Sequence, residues 1–244
     1  MNAQVIMVAS GKGGTGKSTV SVLLGGCLAK RGSKVLLVEL DSGLRSVDII
    51  SGVYGKTVYD IEDVLSGRCE GSKAVVESPI YPGLSVISAP YEGGAVKPGP
   101  LQQLVTALQP YFDFILLDTA AGMGAPFQSA MQVSGKALLV LTPDPVTLRD
   151  GGIVSDCLFK NGLEDIRLVV NRVGQKSFSP NAVRDLDECI DTACAQLIAV
   201  LPESPALQKA SAAGEALPEG EEFLKAAQNL ADRILGKNVP LIIR

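Results

Sequence analysis

Residues Gly11 to Ser18 read Gly-Lys-Gly-Gly-Thr-Gly-Lys-Ser, the spacing G-x-x-x-x-G-K-[ST] of a phosphate cradle. Each residue type has a task in that chemistry. Gly11, Gly13, Gly14 and Gly16, with Thr15 between them, let successive backbone N–H groups turn inward around an anion. The Lys17 amine can reach β- and γ-phosphates, and the Ser18 hydroxyl can ligate Mg²⁺. Thr19, one step on, can donate to a phosphate oxygen. A second lysine, Lys12, follows the first glycine. The pattern implies a bound nucleotide phosphate.

Three further positions could complete such a site. An apolar run ends in Glu39-Leu40-Asp41, and Asp41 is placed to orient an attacking water or hold a water on Mg²⁺; its alternative task is to cap the next helix. A second run ends in Asp118-Thr119-Ala120-Ala121-Gly122. Downstream of a phosphate loop, an aspartate there is expected on the Mg²⁺ water shell, with Gly122 letting its loop approach the γ-phosphate. A third run ends in Asn171-Arg172. Asparagine offers a donor and an acceptor, which suits an adenine edge, and arginine can stack on a base. A plain turn asparagine after a strand fits the same residues.

These groups need a scaffold that brings them together. Apolar runs suited to strands recur at Val5–Ala9, Val35–Leu40, Leu84–Ser88, Phe114–Leu117, Ala137–Leu141, Leu168–Val170 and Leu197–Leu201. Many are continuous rather than alternating, as expected for strands covered on both faces. Helical patterns lie between most of them, at Lys17–Arg31, Leu101–Leu108, Val146–Asn161, Asn181–Ala195 and Glu221–Leu235. The glycine- and proline-containing stretch Pro90–Pro100 is predicted to be a surface loop. The alternation predicts an α/β fold, a three-layer, doubly wound, mostly parallel sheet in one domain over 1–244, with ligands at the carboxyl ends of the strands.

Composition excludes several classes. The chain has 244 residues, a formal net charge of -4 and no histidine. Histidine catalysis and histidine metal sites are excluded, and the acidic balance argues against a nucleic-acid partner held by bulk charge. No run reaches membrane-spanning length. Five cysteines at irregular spacing suggest reduced thiols of a cytoplasmic protein. Cys189 and Cys194 are too few for a metal site.

The chain resembles the deviant Walker A ATPases of the MinD/ParA class, and within it the septum-site-determining branch, over nearly its whole length. The segments that carry the resemblance are Gly11–Thr19, Gly43-Leu44-Arg45-Ser46-Val47-Asp48, Ser66-Gly67-Arg68-Cys69, Leu168–Arg172, and Leu207-Gln208-Lys209-Ala210-Ser211 with Gly214-Glu215. The resemblance implies a P-loop fold, ATP and Mg²⁺ as ligands, and hydrolysis of ATP. It implies an ATP-dependent homodimer in which Lys12 crosses to the partner's phosphates, with a protein regulator or activator. It matches Asp41 to the catalytic-water aspartate and Asp118 to the second magnesium aspartate. Asn171 and Arg172 match the adenine contacts, with the Pro202-Glu203 turn beside the base.

Three departures from the family pattern carry expectations. Glu39 stands where aspartate is usual, which puts metal-shell geometry in question. Ala120 replaces a proline, implying a less rigid switch loop. The family's membrane-riding branch ends in a basic amphipathic helix, whereas this chain stops at Ile242-Ile243-Arg244. The Phe223–Leu235 stripe faces a mixed-charge surface without the lysine excess of an interfacial helix. The expectation is a positioning switch without a strong membrane anchor of its own, meeting the membrane peripherally through a partner. The competing readings are a flagellar or cargo-positioning relative, a DNA-partitioning ATPase, a weakly hydrolysing nucleotide-binding scaffold, and an iron–sulfur electron donor. The last would want cysteines near Asp118, and none lies between Cys69 and Cys157.

Overall fold

The structure is a computed structural model and describes residues 2–43, 45–91 and 97–242. Leu44 of a matched segment, residues 92–96 of the expected loop and residues 243–244 lie outside it. β1 (Gln4–Ala9) leads through the glycine-rich loop to α1 (Lys17–Lys30) and β2 (Val35–Glu39). Three short helices follow, α2 (Val47–Ile50), α3 (Ile61–Leu65) and α4 (Gly71–Ala74), then β3 (Val76–Glu77) and β4 (Leu84–Ile87). The chain then alternates through α5 (Pro98–Leu108), β5 (Phe114–Asp118), α6 (Ala125–Val133), β6 (Lys136–Leu141), α7 (Pro145–Lys160) and β7 (Ile166–Val173). It closes with α8 (Leu186–Ala193), β8 (Gln196–Pro202), α9 (Pro205–Ala213) and α10 (Glu222–Ile234).

The strands form one eight-stranded sheet in the order β3-β4-β2-β5-β1-β6-β7-β8. Every pairing is parallel except β3 with β4. Side chains alternate across a strand, so each strand feeds two cores. Val5, Met7 and Ala9 of β1 join Leu36 and Val38 of β2 under α5, α6, α7 and α8. Ile6 and Val8 join Leu37 on the opposite face under α1, α9 and α10. Burial on both faces is why these strands read as unbroken apolar runs.

α1 is enclosed nearly all round. Gly26 is the reason it can be: a Cβ there would meet the Tyr81 ring at 2.5 Å. α10 covers α1 from outside. Phe223, Ala226, Ala227, Leu230, Ala231 and Ile234 are all buried, so the apolar stripe of α10 is spent on this core. A bidentate ion pair fastens the same contact, with Arg31 Nε and Nη2 at 3.1 and 2.7 Å from the Asp232 carboxylate.

The structure corrects several expectations. The predicted helix over Asn181–Ala195 begins only at Leu186, because Asp185 caps it by accepting from the Glu188 N–H. The loop expected to run to Pro100 ends at Lys97, since Pro98 opens α5, a position proline tolerates. β7 continues past Val170 to Val173 through a register shift, so Asn171 and Arg172 lie in a bulge inside the strand rather than after it. α2, α3, α4, α6, α9 and β3 carried no sequence pattern long enough to predict; four of the six span five residues or fewer.

Arg31 and Lys237 hold the Asp232 carboxyl down at about 2. A depressed acid stabilises the fold above its unfolded value, near 3.9, and the contribution disappears as pH falls through about 2. Asp232→Asn is expected to lower urea-unfolding stability by about 1 kcal/mol at pH 7, allowing for solvent screening. The gap between variant and parent should close on acidification from pH 4 to 2.

Candidate functional site

The site forms where β1 ends beside β5 and the sheet order turns back, the place where parallel sheets open a crevice. The glycine-rich loop closes over the first turn of α1. Gly14 and Gly16 have φ of 84° and 87°, in the left-handed region that side chains disfavour. Gly16 has a second constraint: a Cβ there would lie 2.4 Å from Asn171 Nδ2.

Behind the loop sits Asp118, fully buried. Its carboxylate accepts from Ser18 Oγ at 2.6 Å and from Ser21 Oγ at 2.9 Å. Lys17 Nζ lies 3.4 Å from the same carboxylate. Three donors on one carboxylate offset the cost of burying it. The Ser18 proton is committed to Asp118, which leaves the Ser18 lone pairs as ligand. Ser21, one turn along α1, is a partner that the sequence pattern did not single out.

Gly13 to Thr19 line the phosphate chamber together with Asp41, Ser46 and Arg172. Asp41 is half-buried, and burial raises its carboxyl above the ordinary range; Lys17 opposes that shift and Asp118 adds to it. Asp41 does not cap α2. That task falls to Glu39, whose Oε1 accepts from the Ser46 and Val47 N–H groups at 3.0 and 3.1 Å. Glu39 Oε2 accepts from the Ala89 N–H at 3.3 Å. Both carboxylate oxygens of the longer side chain are thus consumed by backbone donors. Burial pushes Glu39 up to about 7 against the pull of the N–H donors.

The loop after β5 is tied on both sides of Ala120. Thr119 bonds Val8 through its N–H and its hydroxyl, and the Gly122 N–H bonds the Ser10 carbonyl. These bonds offset the freedom expected from losing a proline. Two predicted residues stand apart from the chamber. Gly11 packs against the Asp150 backbone of α7, and Lys12 projects into solvent.

A second chamber adjoins the first, sharing Gly16, Thr19 and Arg172, and is lined by Asn171, Pro202 and Glu203. The bulge in β7 shapes it. Arg172 takes φ 57°, strained for a residue with a side chain, and the turn sends Asn171 inward and Arg172 outward. Asn171 Nδ2 donates to the Thr15 carbonyl at 2.7 Å, which fixes the amide orientation. Asn171 Oδ1 is buried with no hydrogen-bond partner among the described residues. It is therefore an acceptor available to an exocyclic amine. Ser204, Gln208 and Ser211 also line this chamber; only the last two lay in a matched segment, and nothing in the pattern marked them as ligand-facing.

Comparison with known proteins agrees with this geometry. Residues 6–217 match the CobQ/CobB/MinD/ParA nucleotide binding domain. The septum site-determining protein MinD of Synechocystis is 33% identical across 98% of this chain and 92% of its own length. The chain belongs to the MinD family. Among solved structures, the MinC:MinD cell division protein complex of Aquifex aeolicus superposes with a TM-score of 0.91 at 33% identity, covering 99% of both chains. MinD of Pyrococcus horikoshii, solved with Mg-ADP, gives 0.84 at 28% identity over 95% of this chain and 96% of that one. MinD membership makes the chain a nucleotide-binding ATPase.

Two substitutions test the architecture. Gly16→Ala should cost about 1–3 kcal/mol from strain and overlap and abolish the rise in melting temperature that nucleotide produces. Glu39→Gln places an amide N–H₂ against a backbone N–H, whichever way it turns. A loss of about 1–3 kcal/mol in chemical denaturation is expected, with Asp41 and the phosphate loop chemically intact.

Proposed function

We propose that the chain is an ATP-driven switch of the MinD kind, which binds ATP with Mg²⁺, pairs with a second copy, hydrolyses the nucleotide and separates, serving division-site placement. The observation that carries this is the joining of two chambers at Gly16: one built for phosphates, the other ending in the buried acceptor of Asn171. An acceptor there favours the adenine amine and disfavours the carbonyl that guanine presents at the same edge.

Backbone N–H groups of Gly13 to Gly16 and the positive end of α1 hold the phosphate oxygens. Lys17 sits against the β- and γ-phosphates, and Thr19 donates to a neighbouring oxygen. The donors suit magnesium, since Ser18, Asp118 and Asp41 offer hard oxygens. No group of three or more acidic or thiol side chains converges among the described residues, which fits an ion shared with phosphates. Ser18 would ligate the ion directly, Asp118 and Asp41 would hold its water shell, and the ion would neutralise charge on the β- and γ-phosphates. Asp41, at the chamber wall, orients the water that attacks the γ-phosphorus in line. The P–O bond to the β-phosphate breaks as the bond to water forms, leaving ADP and phosphate. Arg172 and the Pro202-Glu203 turn flank the base.

Lys12 is exposed at the surface, where it helps hold the Asp144 carboxyl down, and its amine can exchange that neighbour for phosphates on a second copy. ATP then bridges two subunits, and loss of the γ-phosphate releases them. A regulatory protein acting on the paired state is the partner expected. α10 gives no free apolar face to lipid, because its stripe is buried on α1 and β8. No helix among the described residues is long and apolar enough to cross a membrane.

Lys12→Ala is expected to leave ATP binding by the monomer within a few-fold of the parent and to abolish the ATP-dependent doubling of mass in light scattering. A variant that still doubles in mass with ATP and Mg²⁺ would refute the crossing lysine.

A further inference from the structure

α9 forms one wall of the base chamber, and Leu207, Gln208 and Ser211 face Gly16 and Asn171 across it. Ser211 Oγ is shielded from solvent and has no hydrogen-bond partner among the described residues. Other serines in or at the end of helices in this chain behave differently. Ser51 and Ser134 each donate to the carbonyl one turn earlier, at 2.6 and 2.7 Å, the usual outlet for a helical hydroxyl, and Ser21 has both its own turn's carbonyl and Asp118 within reach of its proton. Ser211 makes no such bond to Leu207.

A desolvated hydroxyl without a partner is costly, so one that the fold leaves unpartnered at the wall of a chamber calls for an explanation, and a ligand that completes it is one. Of the side chains lining this chamber, two carry such atoms: Asn171 Oδ1 and Ser211 Oγ. They are chemically complementary. Asn171 Oδ1 can only accept, whereas the Ser211 hydroxyl can donate. A nucleoside presents both matches, an exocyclic amine and a set of ring-nitrogen and ribose-oxygen acceptors. The rest of the wall is consistent with a flat organic group, since Leu207 and Phe223 are buried apolar side chains.

We infer that Ser211 is a specificity-determining residue of the nucleotide site, its hydroxyl hydrogen-bonding the nucleoside portion of the bound nucleotide. The inference rests on the ATP reading above and extends it to a residue of α9. The cost of the unpartnered hydroxyl in the free protein is offset when nucleotide binds. Removing it should therefore move stability and affinity in opposite directions.

The test uses the full chain, the Ser211→Ala variant and the near-isosteric Ser211→Cys variant. Binding of ATP, 2′-deoxy-ATP, GTP and inorganic tripolyphosphate is measured by calorimetry, and melting is followed without nucleotide. Ser211→Ala is expected to melt at or above the parent temperature yet bind ATP about tenfold more weakly, the size of one hydrogen bond. Ser211→Cys should weaken ATP in the same direction. Tripolyphosphate affinity should not change. If the contact is to the ribose 2′-hydroxyl, the loss vanishes with 2′-deoxy-ATP; if it is to the base, the loss persists with 2′-deoxy-ATP, and the preference for ATP over GTP narrows when the acceptor is N1, which carries a proton in guanine, and holds when it is N3 or N7, which both purines share. Parent-like ATP affinity in Ser211→Ala, or a loss shared equally by tripolyphosphate, would overturn the inference. Failure of the parent chain to bind ATP would instead overturn the ATP reading itself.

Discussion

A single buried carboxylate organises the centre of this molecule. Asp118 ends β5 between β1 and β2, and its oxygens collect Lys17, Ser18 and Ser21 from the first turns of α1. Each of those groups would be unstable in this place alone. A lysine amine that is almost wholly buried needs a counter-charge, and a carboxylate with no exposure needs donors. Together they satisfy one another and fix where α1 begins. The phosphate loop is then held between a strand end and a helix start that cannot drift apart, so its N–H groups are aimed before any ligand arrives.

A second carboxylate does comparable work from the neighbouring strand. Glu39 pairs in register with Asp118, yet it turns toward backbone rather than toward the chamber. By taking N–H groups from Ser46, Val47 and Ala89, it folds the segment carrying Asp41 into a closed loop against the end of β4. Asp41 is left at the chamber wall with its charge disfavoured by burial and sustained by Lys17. Two acids two residues apart thus differ in role because one meets backbone donors and the other meets open space.

The base side depends on a local irregularity. An ordinary strand would alternate Asn171 and Arg172 between the two faces of the sheet. The bulge in β7, with Arg172 in the left-handed region, aims Asn171 beneath the loop, where its amide bonds Thr15. That bond links base and phosphate chambers mechanically, and it requires the absence of a side chain at Gly16.

Much of this was legible in the residues. The phosphate loop is contiguous, and its conformation follows from glycine spacing and the helix it precedes, so local chemistry sufficed to read it. The strands announced themselves because both their faces are buried. The short helices were invisible because four residues cannot show a period, and the helix expected from Asn181 was overextended because its true start is set by the Asp185 cap. What only the tertiary structure decided are the partnerships across the chain: Asp118 with a serine 97 residues away, and Asn171 with a carbonyl 156 residues away. The roles of Glu39 and Ser211 belong there too. Sequence specifies which groups can donate, accept or carry charge. Which of them are stripped of water and left wanting a partner depends on long-range packing, and in this site that desolvation separates the structural residues from those that face a ligand.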